Sequence, residues 1–273
     1  MKTKMITVNQ YSIETVQMGD SGKTELVFAH GLGANVRQWE EQLSYFSRDY
    51  HVTAFSLQGH GKSSKPDNSD AYSLESYTET ALGLLDKLNI RFCVWIGNSM
   101  GGILGYRARS AKPGLIKMLI TNGTTPELIL PGFARKIVKI LDTGLIKIIT
   151  FEAYLKFIIK YSSRYEPVRK KLFTIMQQTY PPAVIASRQA LGNYSCLSGI
   201  KDRNSPVYII KAADDRDINS YLGKYAAVLK ATGCVSFIPI PNAGHLANLD
   251  KPGEYNRIIE NILQRTPADG TDL

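Results

Sequence analysis

The sequence predicts an α/β protein: a doubly wound, mostly parallel sheet with an inserted helical cap. Short apolar segments alternate with amphipathic segments in residues 1–123 and again in 205–273, as expected for parallel strands joined by helices. A glycine-rich turn at 97–102 joins an apolar segment to a helical one. Residues 124–204 lack this alternation and have helical spacing instead. We therefore assign 1–123 and 205–273 to an α/β core and 124–204 to the cap.

The first core region alternates along its whole length. Apolar content and flanking turns predict strands, and apolar residues three or four positions apart predict helices. Ser73 is the expected N-cap of one helix, with Glu75 in its first turn. We expect strands at 6–16, 25–30, 51–56, 92–96 and 116–121, and helices at 36–46, after Ser73, and at 103–108.

The second half of the chain begins with helical segments and returns to alternation. The last helix is expected to start at Asp250 as N-cap, with Pro252 in its first turn. We expect helices at 133–150, 151–161 and 167–179, then strands at 207–212 and 235–240 with a helix at 220–231 between them.

Charge is concentrated in the cap. The chain has a formal net charge of +9, and residues 124–205 hold 13 Lys and Arg against five Asp and Glu. Without a recognition motif beside it, this charge does not indicate a nucleic-acid partner. The segment 147–160 mixes many apolar residues with lysines, which fits either a solvated basic helix face or peripheral contact with an anionic membrane. Steering of an anionic substrate is a third interpretation.

Cysteine usage and the N-terminus indicate the compartment. The chain has three widely spaced cysteines, which favour neither a disulfide framework nor a zinc site. The basic N-terminus is not followed by an apolar segment of the kind found in signal peptides, and no stretch reaches the length of a membrane span. We therefore expect a cytoplasmic protein.

The turn at 97–101 has the G-x-S-x-G pattern of a nucleophile elbow, with Ser99 at its centre. Such a turn is so sharp that only very small residues fit two positions to either side, which Gly97 and Gly101 provide. It would hold the serine hydroxyl clear of the sheet. A glycine-rich turn that serves packing alone is the alternative.

A serine nucleophile needs a base, and the base needs an orienting carboxylate. Ligand sites in open α/β sheets lie at the carboxyl ends of the strands. Of the four histidines, His245 follows the last strand, whereas His51 begins a strand. Asp215 follows the strand at 207–212 and lies between serine and histidine in the chain. We predict Ser99, His245 and Asp215 as the catalytic residues.

The negative oxygen formed in acyl transfer must meet preorganised N–H donors. The amide of Met100, directly after the serine, is one expected donor. The second must come from the loop 30–33, where glycines allow close backbone approach, and Leu32 is the predicted residue. We expect His30, in the same loop, to be structural.

These motifs together resemble enzymes of the α/β-hydrolase fold with a helical cap. The run 30–33 is similar to the oxyanion loop of that family, 59–63 to its G-x-G-x-S signature, and 97–101 to its elbow. Asp215 and His245 stand where the family has its acid and base. The resemblance implies a serine esterase that needs no cofactor and no metal.

The chain departs from the family pattern around the acid. Ala212 and Asn219 stand where the family usually has glycine and proline. This leaves Asp214 and Asp217 open as alternatives to Asp215.

Two further resemblances bear on the reaction. Asn98 beside the serine is similar to the hydrolases of meta-cleavage products, which cut carbon–carbon bonds, and 246–250 is similar to the base loop of enol-lactonases. We predict cleavage of a small carboxylic ester with an apolar group. Carbon–carbon or lactone hydrolysis with the same residues is one alternative, and a catalytically silent binding protein is another. The sequence leaves the oligomeric state open.

Overall fold

A computed structural model describes residues 1–200 and 205–265 of the chain. In that part of the chain the backbone forms ten strands and ten α-helices. The strands are β1 (Lys4–Val8), β2 (Tyr11–Met18), β3 (Glu25–Ala29), β4 (His51–Phe55), β5 (Cys93–Asn98), β6 (Ile116–Asn122), β7 (Glu127–Ile129), β8 (Asn193–Ser195), β9 (Val207–Ala212) and β10 (Val235–Ile240). The helices are α1 (Glu40–Phe46), α2 (Leu74–Lys87), α3 (Met100–Ala111), α4 (Gly132–Ile148), α5 (Phe151–Lys160), α6 (Glu166–Met176), α7 (Pro181–Ala190), α8 (Arg216–Ala231), α9 (Ala247–Asp250) and α10 (Pro252–Arg265).

Eight strands form one sheet in the order β1-β2-β4-β3-β5-β6-β9-β10. Within this sheet β4, β3, β5, β6, β9 and β10 pair in parallel, so their carboxyl ends meet at one edge. The predicted α/β fold with a mostly parallel sheet is confirmed. The prediction of one strand at 6–16 is wrong, because Asn9, with φ of 52°, starts a turn and β1 folds back on β2.

Helices cover both faces of the sheet, because alternate residues of each strand point to opposite sides. Val27 and Trp95 pack into a cluster with α2, α3 and α8, whereas Leu26, Phe28 and Val94 pack with α1 and α10. Ser73 caps α2 as predicted, since its side chain accepts a hydrogen bond from the N–H of Ser76.

Between β6 and β9, the described part of the chain contains α4 to α7 and the small antiparallel pair β7–β8. The pattern missed β7 and β8 because each has three residues, and it also missed α7, which opens with two prolines. Residues 201–204, predicted to end the cap, lie outside the described residues. The division into core and cap stays a prediction.

Two helix starts differ from expectation. Helix α8 begins at Arg216 rather than at 220, directly after Asp215. Asp250 does not cap α10, because its carboxylate accepts hydrogen bonds from the Gly244 N–H at 2.7 Å and from the Ser163 hydroxyl. Asp250 thereby ties the loop before α9 to the segment after α5. None of the helices among the described residues is long and apolar enough to cross a membrane.

Candidate active site

Ser99 stands at the junction of β5 and α3 with φ of 51° and ψ of −117°, in a region that side-chain-bearing residues rarely adopt. A Cβ added to Gly97 would lie 2.4 Å from the carbonyl oxygen of Gly101, and one added to Gly101 would lie 2.0 Å from that of Ala29. Both positions therefore require glycine. The turn carries the Ser99 side chain to a cavity at the carboxyl edge of the sheet.

His245 and Asp215 meet above the ends of β9 and β10. His245 Nδ1 lies 2.9 Å from Asp215 Oδ2, and the Asp214 N–H donates to the Ala243 carbonyl at 2.9 Å, which ties the two loops together. The Asp214 carboxylate instead pairs with Arg164, and Asp217 is exposed in the first turn of α8. Of the three aspartates, the structure brings Asp215 to the imidazole.

The pKa of His245 is set by opposing effects. Burial lowers it, but the charge of Asp215 and its hydrogen bond to the ring outweigh burial, with further support from the charges of Asp217 and Asp250. The net result is a pKa above the ordinary 6.5. Because the carboxylate accepts from Nδ1–H, the neutral ring has its lone pair on Nε2.

Ser99 and His245 line the same cavity. Among the described residues the Ser99 hydroxyl forms no hydrogen bond, to His245 or to any other group. Nucleophile–base hydrogen bonds are commonly long in free enzymes and tighten when substrate binds. One cavity thus contains a serine hydroxyl and an imidazole that Asp215 orients, and the Nε2 of this imidazole has no hydrogen-bond partner among the described residues.

Buried amide side chains connect the three loops of the site. Asn98 Nδ2 donates to the His245 carbonyl at 2.9 Å, and Asn122 Nδ2 donates to the same oxygen at 3.2 Å. The Asn98 Oδ1 accepts from Gln38 Nε2 at 2.8 Å, and Gln38 Oε1 accepts from the Gly31 N–H at 3.0 Å. The three amide side chains are buried, so solvent competes little for these bonds. One network therefore fixes the base loop, the elbow and the loop after β3.

Neither Gln38 nor Asn122 was predicted from the sequence. A signal existed for Asn122, because it ends β6 directly opposite Asn98 at the end of β5, at the edge where ligand sites form. No comparable signal marks Gln38, whose bond partners come from distant parts of the chain.

The two predicted oxyanion donors flank the elbow. Leu32 lines the Ser99 cavity, and Met100 begins α3. In the part of the chain that the structure describes, neither N–H is used in a hydrogen bond. An N–H pair free in this way, with one member at a helix N-terminus, can receive a developing negative charge.

His30 is structural, as expected. Its Nε2 accepts from the Leu57 N–H at 3.0 Å, so Nδ1 carries the proton and donates to the Gly31 carbonyl at 2.7 Å. Complete burial lowers the pKa of His30 to about 4. The neutral ring thus holds the loop after β3 against the loop after β4.

The site cavity has a volume of about 180 Å³. Its walls combine an apolar side with polar side chains, which are Gln38, Asn98, Ser99, Ser162, Arg188 and His245. Arg188 Nε pairs with Asp142 Oδ2 at 2.9 Å, and the Asp142 side chain is buried. The apolar lining residues are Leu32, Ala34, Ile158, Leu172, Met176, Leu191 and Leu246.

Most of the described apolar residues in the segment 147–160, which was considered for membrane contact, are buried or half-buried. Tyr154, Leu155 and Ile159 are buried, whereas Lys156 and Lys160 are exposed. The side chains of residues 147 and 148 lie outside the described residues. The apolar positions of α5 thus mostly form the core of the helical segment.

Comparisons with known proteins place the chain in context. A model of the alpha/beta hydrolase family matches residues 26–258. The chain is 22% identical over 263 residues to 3-oxoadipate enol-lactonase 2 of Acinetobacter baylyi, covering 95% of this chain and 96% of the relative. It is 28% identical over 262 residues to (E)-2-((N-methylformamido)methylene)succinate hydrolase of the same organism, covering 93% and 95%. The crystal structure of a bromoperoxidase from Bacillus anthracis superposes with a TM-score of 0.83 at 21% identity, covering 96% and 100%.

Proposed function

The chain belongs to the alpha/beta hydrolase family, and from that premise we propose that it is a serine hydrolase that cleaves a carboxylic ester through an acyl-enzyme. The observation that carries the proposal is the 2.9 Å contact of His245 Nδ1 with Asp215, at a cavity that His245 shares with the strained Ser99. Structural strain of this kind is retained where it serves function.

In the proposed first step, Ser99 Oγ attacks the ester carbonyl while His245 Nε2 accepts the hydroxyl proton. The Asp215 carboxylate stabilises the imidazolium through Nδ1–H without itself being protonated. The N–H groups of Leu32 and Met100 donate to the tetrahedral oxyanion. His245 then gives its proton to the departing alkoxide, which leaves the acyl group on Ser99.

In the second step, water attacks the acyl-enzyme. His245 removes a proton from that water, the oxyanion forms again at the same two N–H groups, and the proton returns to Ser99 Oγ as the acid departs. None of these steps uses a cofactor or metal. The apolar walls of the cavity support an ester with a small apolar acyl or alcohol group.

The proposal is tested with two serine variants. Ser99→Ala should lower turnover of a short acyl ester by about 10⁶-fold. Ser162→Ala is the matched control, because Ser162 also lines the cavity but its hydroxyl bonds to the Ile158 carbonyl at 3.2 Å. Its turnover should change by less than about threefold. Equal activity of Ser99→Ala and the wild type rejects the mechanism.

A second candidate function is hydrolysis of an acidic lactone, or of a carbon–carbon bond in an acidic substrate, by the same residues. The observation that favours it is Arg188, which lines the cavity and whose guanidinium is oriented through Nε by Asp142. A guanidinium held at one nitrogen retains N–H groups that can bind a substrate carboxylate. Two relatives have names that denote acidic substrates, an oxoadipate lactone and a substituted succinate.

A pair of esters that differ by one carboxylate distinguishes a neutral substrate from an acidic one. If the substrate is acidic, the carboxylate ester has the higher kcat/KM, and Arg188→Met lowers that value by about 100-fold while the neutral ester changes little. Arg164→Met, which removes an arginine paired with Asp214, controls for loss of positive charge. If the two esters have equal kcat/KM values with the wild type and again with Arg188→Met, the substrate is a neutral ester.

A further inference from the structure

Helix α4 exposes large apolar side chains along one side. Phe133, Ile137 and Leu141 are 70%, 52% and 62% exposed, and Ile140 beside them is 68% exposed. Residues four apart lie one above the other on an α-helix, so the first three form a stripe. Helices of water-soluble proteins normally turn such a stripe inward. A contiguous exposed apolar face marks an interaction surface.

The opposite side of α4 contacts helices α5 and α7 of the same chain. Asp142 is buried and pairs with Arg188 of α7 at 2.9 Å, and its other oxygen accepts from the Tyr154 hydroxyl of α5 at 3.4 Å. Val138, one turn before Asp142, is half-buried. Rotating α4 to bury the stripe would break the Asp142–Arg188 pair, which leaves a buried carboxylate uncompensated. The Asp142–Arg188 pair therefore keeps the stripe on the outside of the protein.

The surroundings of the stripe are positively charged. Arg135 and Lys136 are exposed on α4, and neither forms an ion pair with any described residue. Residues 124–205 as a whole hold 13 Lys and Arg against five Asp and Glu. A second copy of the chain docking on this face would bring two such segments together, and their like charges would repel. A bilayer with anionic headgroups offers the opposite charge outside and an apolar layer beneath.

We infer that α4 docks the protein on an anionic lipid surface, lying along the interface with Phe133, Ile137 and Leu141 entering the boundary between headgroups and acyl chains. Arg135 and Lys136 remain at the level of the lipid phosphates. The contact is peripheral, because an apolar face of one helix enters the interface and no segment crosses the bilayer. It stands independently of the reaction at Ser99.

The test is flotation of the purified protein with vesicles of phosphatidylcholine alone or mixed with phosphatidylglycerol. The wild type should float with the mixed vesicles only, and salt should weaken that binding. A triple variant, Phe133→Ser, Ile137→Ser and Leu141→Ser, should bind at least about tenfold less. The matched control is Phe92→Ser with Val228→Ser, which replaces apolar residues outside α4 that are 53% and 57% exposed and should bind like wild type.

The outcomes decide the inference. Failure of the wild type to float overturns it, as does equal binding by the triple variant and the wild type. Sedimentation velocity tests whether a second copy of the chain binds the stripe instead. If the wild type is a dimer and the triple variant is a monomer, the stripe joins two copies, and this result also overturns the inference. Because the stripe is exposed, the urea midpoint of the triple variant should match that of the wild type.

Discussion

Replacing Gly101 with alanine adds one methyl group at the tightest point of the elbow. Gly101 lies in the first turn of α3, where alanine is otherwise preferred over glycine by about 1 kcal/mol. The added Cβ would stand 2.0 Å from the Ala29 carbonyl oxygen and 2.8 Å from that of His30. Both atoms belong to the backbone, so no side chain can rotate away.

The size of the effect follows from these distances. Ordinary contacts of a Cβ begin near 3.4 Å, so α3 must retreat from β3 by more than about 1 Å. Overpacking of a rigid core costs up to about 3 kcal/mol, and an overlap of this size with backbone atoms belongs at that upper end, so it exceeds the gain in helix propensity. The retreat also moves the Met100 N–H away from the Leu32 N–H. A misplacement of about 1 Å at a catalytic group lowers turnover by about 100-fold.

The assay combines urea unfolding with turnover of a short acyl ester. Gly223→Ala is the matched control, because Gly223 lies within α8 and a Cβ there would have no atom within 4 Å. The same chemical change should therefore stabilise α8 by up to about 1 kcal/mol and leave turnover unchanged. If Gly101→Ala keeps the wild-type urea midpoint and turnover, α3 does not press against β3 tightly enough for Gly101 to be required there.

Three further predictions concern the base, the amide network and acid stability. Asp215→Asn should lower kcat by about 10⁴-fold. It should also move the acid limb of the kcat/KM profile to lower pH, since the group that raises the pKa of His245 is gone; a limb that stays in place contradicts this. Gln38→Leu orphans Asn98 Oδ1 and the Gly31 N–H, so it should destabilise the protein by about 3 kcal/mol in urea and lower kcat more than it raises KM. Its control is Gln17→Leu, which loses a single 3.5 Å contact to Thr53, and equal effects of the two variants would argue against the network. Burial lowers the pKa of His30 to about 4 and, with the charge of His30 beside it, that of His60 to about 3. The unfolded chain therefore binds protons first as pH falls below 6.5, and the free energy of unfolding should drop by about 3 kcal/mol per histidine by pH 4. His60→Gln should show a shallower drop in urea titrations across that range, and an unchanged slope would contradict the assignment.

The main elements of the fold could be predicted because their signals are local. Strands β5, β6 and β9 are buried apolar runs flanked by turns, and each prediction agrees with the structure to within about two residues. The division of the N-terminal strand could not be predicted, since β1 and β2 share one apolar pattern. Only the turn at Asn9, whose φ is 52°, separates them.

Residues of the candidate site could be predicted where chemistry is tied to a short motif. Ser99 and its two glycines form one local pattern, and His245 and Asp215 follow from strand ends. The alternatives Asp214 and Asp217 could be set aside only with the structure, because the three side chains differ in direction rather than in sequence context.

The rest of the site depends on contacts between distant segments. Gln38 meets Asn98 across 60 positions, and Arg188 meets Asp142 across 46. Helical spacing places each residue on a face but does not reveal its partner. The exposure of the stripe on α4 could not be predicted either. Its apolar spacing predicts a helix, but the spacing is the same whether that face is buried or exposed.

Mass spectrometry of the intact protein after reaction with a fluorophosphonate shows directly whether Ser99 is an activated nucleophile. Such a reagent forms a stable adduct with a serine that a neighbouring base has activated. We expect one adduct on the wild type, mapped to Ser99 by peptide analysis. Ser99→Ala should carry none, and His245→Gln, with a comparable urea midpoint, should react far more slowly. An unlabelled wild-type protein, as expected of a catalytically silent binding protein, or an adduct on another residue, would contradict the claim that His245 and Asp215 make Ser99 a nucleophile.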